Sequence, residues 1–369
     1  MIFISILTLI VAKALPVLNK QISPIHFTRI ASIIFIYTGA ITFNCLYIQS
    51  IGSGIGIYSG LFHITQISQF IEIFLFLIGG LILIGWPLVL PILPPLLAAS
   101  QPNSLLPEAK KHRESKKQAI DLMESHSTDY SIIVLFSILG SSLLISSFDL
   151  ISLYLSIELQ SFGLYVLSTL YRDSESSTSA GLKYFLLGGL SSCLILLGSG
   201  LIYSYTGVTN FESLYLLNSI SDIDQQYVIQ GLSLGLIIIF VGFLFKIAAA
   251  PLHNWSPDVY DGTPTIVTTW LTIIPKISIL ILLLELQSKI GIIGVIKTKI
   301  LSSTGYLTTI ESMPSLIPVE GLVFLSNTVS ASLVGLPVLK TLLLISSILS
   351  LIIGSLLGLA QIRIKRLLA

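Results

Sequence analysis

Apolar residues fall in long blocks along this chain, neither alternating with polar ones nor recurring on a single helical face. A helix needs about 20 such residues to cross a hydrocarbon layer of about 30 Å. Nine segments reach that length: residues 2–19, 28–48, 70–97, 130–147, 149–171, 178–204, 229–260, 264–286 and 339–361. The pattern predicts an all-α polytopic membrane protein with about nine transmembrane helices. The third block ends in Pro87, Pro91, Pro94 and Pro95, which predicts a tight bend, because each proline removes a donor and clashes with the turn before it. The seventh block is too long for one straight helix, and Pro251 near its end predicts a break. The opening block, Ile2 to Asn19, lacks the basic region of a secretory signal and is followed by further spans, so it reads as a retained first helix.

Composition agrees with this reading. Hydrophobic residues make up 53% of the 369 and charged residues 10%, with a mean hydropathy of +0.93, too little polar surface to wrap a soluble domain of this length. The net charge of +1 says little, and nucleic acid is not an expected partner. The distribution of charge says more. One set of connections collects Lys20, Arg29, Lys110, Lys111, Arg113, Lys116, Lys117, Arg172, Arg363, Lys365 and Arg366, while the other holds Lys289, Lys297, Lys299 and Lys340. By the positive-inside rule the basic face is the side of synthesis, which places the N-terminus opposite it. The expected organisation is a three-helix segment (1–99), a hydrophilic loop on the basic side (100–128), a block of five spans (129–286), and a connection on the other side leading into a ninth span (287–369), with a tenth span inside 287–337 left open. Cys45 and Cys193 lie far apart in apolar runs without ligand spacing and read as small core hydrophobes.

Ionisable residues inside apolar spans carry the chemical signal, because each costs about 2.5–3.5 kcal/mol on insertion scales. Glu158 sits mid-span, too deep for a carboxylate to reach water; a structural ion pair is the competing reading, and Gln160 and Ser161 are expected to point away from it. Lys246 lies just before the break at Pro251, and broken helices at membrane depth mark ion sites in transporters. Lys276 follows Pro275 with no nearby exit to either surface. Desolvation disfavours the charged form of a buried lysine, so such a group can exchange protons near neutral pH. Lys183 lies near the basic-side end of its span, where snorkelling to the interface stays open. His253, two residues past Pro251, can bridge the break to basic-side water or be a satisfied interfacial residue. With no metal-ligand cluster, nucleophile arrangement, phosphate loop or dinucleotide fingerprint in the sequence, one carboxylate and three amines point to proton movement.

Three stretches carry a resemblance: Phe245-Lys-Ile-Ala-Ala-Ala-Pro-Leu-His-Asn-Trp-Ser-Pro-Asp-Val-Tyr-Asp-Gly-Thr-Pro264, Ser156-Ile-Glu-Leu-Gln-Ser161, and the closing Gln361-Ile-Arg-Ile-Lys-Arg-Leu-Leu-Ala369. Together with Ser53-Gly-Ile-Gly-Ile-Tyr-Ser-Gly-Leu-Phe-His63, they resemble the NADH dehydrogenase subunit 2 family of mitochondrial respiratory complex I, in its fungal form. The resemblance covers nearly the whole chain. It implies an antiporter-like fold, similar to a subunit of the Mrp-type cation/proton antiporters, with an incomplete second inverted repeat. The implied role is proton translocation as a non-redox subunit of NADH:ubiquinone oxidoreductase, driven by ubiquinone reduction elsewhere and with no cofactor in this chain. The implied place is the mitochondrial inner membrane, N-terminus on the intermembrane-space side and hydrophilic loop in the matrix. The implied partners are adjacent antiporter-like and small hydrophobic subunits, accessory subunits and membrane phospholipids. Glu158 matches the family's carboxylate on the fifth helix, Lys246 its partner on the broken seventh, Lys276 the central lysine of the eighth, Lys183 a sixth-helix lysine, and His253 the histidine after the break. The family pattern continues into a second half of five helices, which starts with the ninth span and carries another broken helix with a lysine. A split reading frame, an unjoined exon or truncation is expected to account for the rest, so these residues alone do not make a complete pump. Two alternatives stay open: a stand-alone Mrp-type cation/proton antiporter subunit, and a structural membrane anchor without transport.

Overall fold

The computed structural model describes residues 1–15, 24–47, 54–85, 129–171, 174–220, 226–290 and 338–367. The proline-rich bend, the hydrophilic loop at 100–128, Arg172 and most of the 287–337 connection lie outside the described residues. The elements are α1 (Ile2–Ala14), α2 (Pro24–Cys45), β1 (Ile55–Ile57), β2 (Phe62–Ile64), α3 (Gln66–Gly85), α4 (Asp129–Ser146), α5 (Leu150–Ser168), α6 (Glu175–Thr206), α7 (Phe211–Ile220), α8 (Gln226–Ile247), α9 (Trp255–Gly262), α10 (Thr265–Ile290), α11 (Val338–Leu359) and α12 (Ile364–Leu367). Among the described residues eight helices are long and apolar enough to cross a membrane: α2 to α6, α8, α10 and α11. They correspond to the second through ninth blocks of the sequence. The first block is helical over 13 residues, about 20 Å at 1.5 Å per residue and shorter than the hydrocarbon core. The protein is an all-α, multi-pass membrane protein.

Two apolar clusters form the interior. One gathers Phe27, Phe35, Leu75, Tyr130, Val134 and Trp270 from α2, α3, α4 and α10. The other gathers Ile157, Ile195, Ile202, Phe240 and Phe243 from α5, α6 and α8, with Leu283 from α10. Apolar residues are equally common outside: Leu182, Leu186 and Leu190 on α6 and Leu351 and Leu356 on α11 are all exposed. This is expected where the solvent is lipid. Many buried residues are serines, and Ser137, Ser141, Ser156, Ser161, Ser168 and Ser191 each return the hydroxyl to a carbonyl three or four residues back, so these six donors are all satisfied. Without a hydrophobic drive between helices in lipid, close backbone approach holds them together, and small residues permit it. At Gly198 an added Cβ would lie 2.6 Å from the Gly235 carbonyl oxygen on α8.

A short antiparallel hairpin, not foreseen from the sequence, pins one end of the bundle. Its turn places Tyr58, Ser59 and Gly60 at positive φ. The Leu61 carbonyl accepts from Phe148 N (3.0 Å) and Ser152 Oγ (2.9 Å), and Asn210 Nδ2 donates to the Gly60 carbonyl (3.3 Å). Helix α5 starts there because Asp149 caps it: its carboxylate accepts from Ile151 N at 2.8 Å and from Thr209 Oγ1 at 2.7 Å, and Ser152 Oγ accepts in turn from Asp149 N. Both cysteines are free, but Cys193 faces outward from α6 and is not a core residue, because an apolar run in a membrane helix serves lipid-facing and buried sides alike.

Candidate functional site

Helix α8 ends at Ile247, four residues before Pro251, where the proline ring would strike the carbonyl of a continuing helix. Ala248 then turns to φ +64°. The freed carbonyls are taken up locally: Leu244 accepts from Ala249 N (3.0 Å), and Phe245 accepts from Ala248 N (3.1 Å) and from the Trp255 indole Nε1 (3.0 Å). The Trp255 ring lies stacked between Tyr184 and Phe245, with centroids at 5.3 and 6.5 Å, and meets Tyr260 edge-on at 6.2 Å. Trp255→Phe keeps an aromatic ring but deletes the donor and part of the stacked area, so it is expected to cost at least about 1 kcal/mol and to raise amide hydrogen exchange at residues 248–250. Unchanged exchange there would mean the indole hydrogen bond does not hold the break.

Lys246 occupies the last turn of α8, where the negative end of the helix dipole favours a cation. Its Nζ lies 3.4 Å from Glu158 Oε1 and donates to Ser161 Oγ at 2.8 Å; the two side chains are only 7% and 15% exposed. Ser161, expected to point away from Glu158, shares its face: a spacing of three residues returns to the same side of a helix. Gln160 does point elsewhere, donating from Nε2 to Ser278 Oγ on α10 at 2.9 Å. Lys276 lies beside Pro275 within α10, its Nζ 5.3 Å from the centroid of the Tyr260 ring. That distance and a ring face suit a cation–π contact. A cavity of about 20 Å³ opens between these elements, lined by Ser161, Tyr165, Tyr184, Ser191, Lys246 and Pro275 among others.

The structure takes Lys183 to a different partner. Its Nζ donates to Asp258 on α9 at 2.9 Å, with both side chains about half exposed. Asp258 also faces Arg366 at 3.8 Å, and Asp261 holds Arg363 (2.5 Å) and Arg366 (3.0 Å), while Lys365 donates to the Thr263 carbonyl at 2.7 Å. The basic segment after α11 is thereby fastened to α9. Burial works to raise the Asp261 carboxyl, but the hydrogen bonds from Arg363 and Arg366 outweigh it and hold the group below its ordinary value. A lowered value means that this ionic hold is complete above the ordinary carboxylate value, about 3.9, and is lost as pH falls below that and through the lowered value of the folded protein. His253 sits in the turn after the break, its carbonyl accepting from Ser256 N and Oγ at 3.0 Å each; its Nδ1 is buried and makes no hydrogen bond within the described residues.

Two intramembrane carboxylates escaped the sequence reading, Glu72 on α3 and the buried Glu285 on α10, which interact electrostatically with each other. The signal that singled out Glu158, a charge inside an apolar run, marks both of them. Ser161 and Tyr260 carry no such signal, since hydroxyls and aromatics are common in spans. Among the described residues no group of three or more His, Cys, Asp or Glu could hold a metal ion.

Comparison with known proteins places this arrangement. The family described as "NADH:quinone oxidoreductase/Mrp antiporter, TM" matches residues 147–317, which include Glu158, Lys246 and Lys276. The whole chain aligns with NADH-ubiquinone oxidoreductase chain 2 of Rhizopus oryzae at 43% identity over 371 residues, 100% of this chain and 59% of that protein. Residues 147–317 thus carry this antiporter-like membrane domain. A second relative of the same name, from Marchantia polymorpha, is 48% identical over 168 residues, 45% of this chain and 33% of that protein. The chain thus spans about three-fifths of the Rhizopus protein and a third of the Marchantia protein. The fold is shared with a chain of respiratory complex I from Thermus thermophilus (TM-score 0.59, 22% identity, 100% of this chain and 60% of that one) and with a chain of the Mrp complex from Dietzia sp. DQ12-45-1b (TM-score 0.53, 16% identity, 77% and 47%).

Proposed function

We propose that the chain forms part of a proton-translocating membrane-arm subunit of NADH:ubiquinone oxidoreductase, in which Glu158, Lys246 and Lys276 pass protons while quinone is reduced elsewhere in the complex. The observation that carries this reading is the Glu158–Lys246 contact beside a helix break. An opposite charge stabilises an ammonium that desolvation destabilises, so bringing the two groups together or moving them apart switches whether the lysine keeps its proton. Lys276 on the next helix is the acceptor, and its charged form rests on Tyr260. Lys183 and His253 stand at the basic-side margin of the relay, Lys183 tied to Asp258. In this reading residues 129–286 carry the relay, behind a three-helix segment at 1–99 and the hydrophilic loop at 100–128, and 287–369 lead into the second inverted half.

The proposal places the subunit in the mitochondrial inner membrane with its N-terminus towards the intermembrane space. There it packs against neighbouring antiporter-like and small hydrophobic subunits, accessory subunits and phospholipids, and it carries no cofactor of its own. The likeness to the Mrp fold keeps a stand-alone cation/proton antiporter as the second reading. Inner-membrane vesicles carrying Lys276→Met decide between transport and anchoring. Protons moved per NADH oxidised are expected to fall several-fold while the amount of assembled complex stays constant. Normal pumping in that variant would leave the lysine a structural role only, and purification of the wild-type subunit free of quinone-reducing partners would favour the antiporter.

A further inference from the structure

One buried group beside Lys246 has no task in the relay as described. Gln160 is 1% exposed and lies two residues beyond Glu158, so it leaves α5 on a different side from the edge shared by Glu158 and Ser161. Its Nε2 is tied to Ser278 Oγ at 2.9 Å, and Ser278 donates in turn to the Pro275 carbonyl at 3.0 Å, next to Lys276. Its Oε1 is buried and accepts no hydrogen bond within the described residues. A buried acceptor left without a donor is costly, and native structures satisfy such atoms with protein or with water. The same residue and Lys246 both line the cavity of about 20 Å³, which is enough space for one water molecule. Lys246 has the complementary surplus: an ammonium carries three donors, and Glu158 and Ser161 take two.

We propose that Gln160 is a positioning residue whose Oε1 is the third acceptor for the Lys246 ammonium, reached through one water in this cavity. The inference rests on the relay reading and deepens it. When Glu158 is neutral or withdrawn, the Lys246 charge is held on the side of α5 that faces α10, and so towards Lys276. The amide suits this because its two ends differ: the donor end anchors to α10, leaving the acceptor end to face the cation. A carboxylate in its place would trap the charge, and an apolar side chain would leave it unsupported.

The titratable groups around Lys246 are Glu158 and Tyr165 on α5 and Tyr184 on α6; α10 presents Pro275 and Ile279 to the cavity, and Lys276 is turned to Tyr260. Proton translocation by the assembled complex in inner-membrane vesicles is measured against pH for Gln160→Leu and Gln160→Glu. Removing an acceptor disfavours the ammonium, so Gln160→Leu is expected to move the alkaline limb of the profile to lower pH by about half a unit or more, and Gln160→Glu to move it upward. A purely structural glutamine would lower the amount of complex without moving the limb, and an unmoved limb overturns the proposal. If neither variant assembles, a high-resolution map of the wild-type complex decides. Water density within hydrogen-bonding reach of both Gln160 and Lys246 supports the assignment, and a protein group bonded to Gln160 Oε1 refutes it. Lys246→Met serves as the parallel arm: normal pumping there sinks the relay itself, whereas a loss there with a silent Gln160→Leu sinks only this inference.

Discussion

Lys246→Met is expected to lower proton translocation by about tenfold or more, because the remaining route must cross about 30 Å of hydrocarbon without its central titratable group. The same change leaves Glu158 buried beside a neutral side chain, and breaking a buried pair by removing one partner typically costs about 3–5 kcal/mol. Loss of function alone would therefore be ambiguous, since the subunit could simply be lost. The double variant Glu158→Gln with Lys246→Met removes both charges and with them the unpaired one. Replacing both partners of a buried pair is often neutral, so assembly should recover while translocation stays low. If the double variant pumps normally, the pair serves only to fix helix register and the relay is refuted. If it neither assembles nor pumps, the side chains matter as packing, and the anchor reading gains.

Gly198→Leu is the second change with a large expected effect. Helices α6 and α8 approach so closely that a Cβ on Gly198 would meet the Gly235 carbonyl oxygen at 2.6 Å and Ile239 N at 2.9 Å. Both contacts are backbone and cannot swing aside. Overpacking of this kind costs about 1–3 kcal/mol, and here the only relief is to separate two helices whose association depends on small residues. Helix α8 also carries Lys246, so the displacement would pull the ammonium from Glu158 and reduce translocation along with stability. Gly200 on the same helix supplies the control, since nothing lies within 4 Å of a Cβ built there. Thermal denaturation of the purified complex should show a clear loss for Gly198→Leu and almost none for Gly200→Leu. Equal stability of the two would mean that the close approach is not what holds α6 to α8.

Much of the architecture was legible in the chain because a lipid solvent imposes a length and a composition on every crossing. Eight of nine expected spans are long apolar helices, and the break of the seventh falls four residues before Pro251, as the geometry of a proline ring requires. Glu158 and Lys246 were recognisable singly, each by the cost of its charge at that depth. Glu72 and Glu285 carry the same cost and were passed over, while the other features missed had no such cost to betray them. The hairpin at Ile55–Ile64 is held by the Phe148 amide and the Ser152 and Asn210 side chains, all distant in sequence, and two three-residue strands leave almost no periodicity to read. Ser161 was misread because two and three residues of helical spacing lead to different faces. The partner of Lys183, Asp258 on the exposed side of α9, lies 75 residues away and gave no signal of its own in the sequence.

By itself, then, the amino-acid sequence determined depth: which residues lie in the hydrocarbon layer, where a helix must stop, and which groups are costly there. Direction around each helix axis was decided only by tertiary structure. In a soluble protein the buried face announces itself by contrast with a polar one, but in a membrane both faces are apolar, so hydropathy is silent about whether Cys193 looks inward or Gln160 towards Ser278 on α10. Close packing at small residues such as Gly198, together with a few specific hydrogen bonds, makes that choice, and with it the pairing of Glu158 with Lys246.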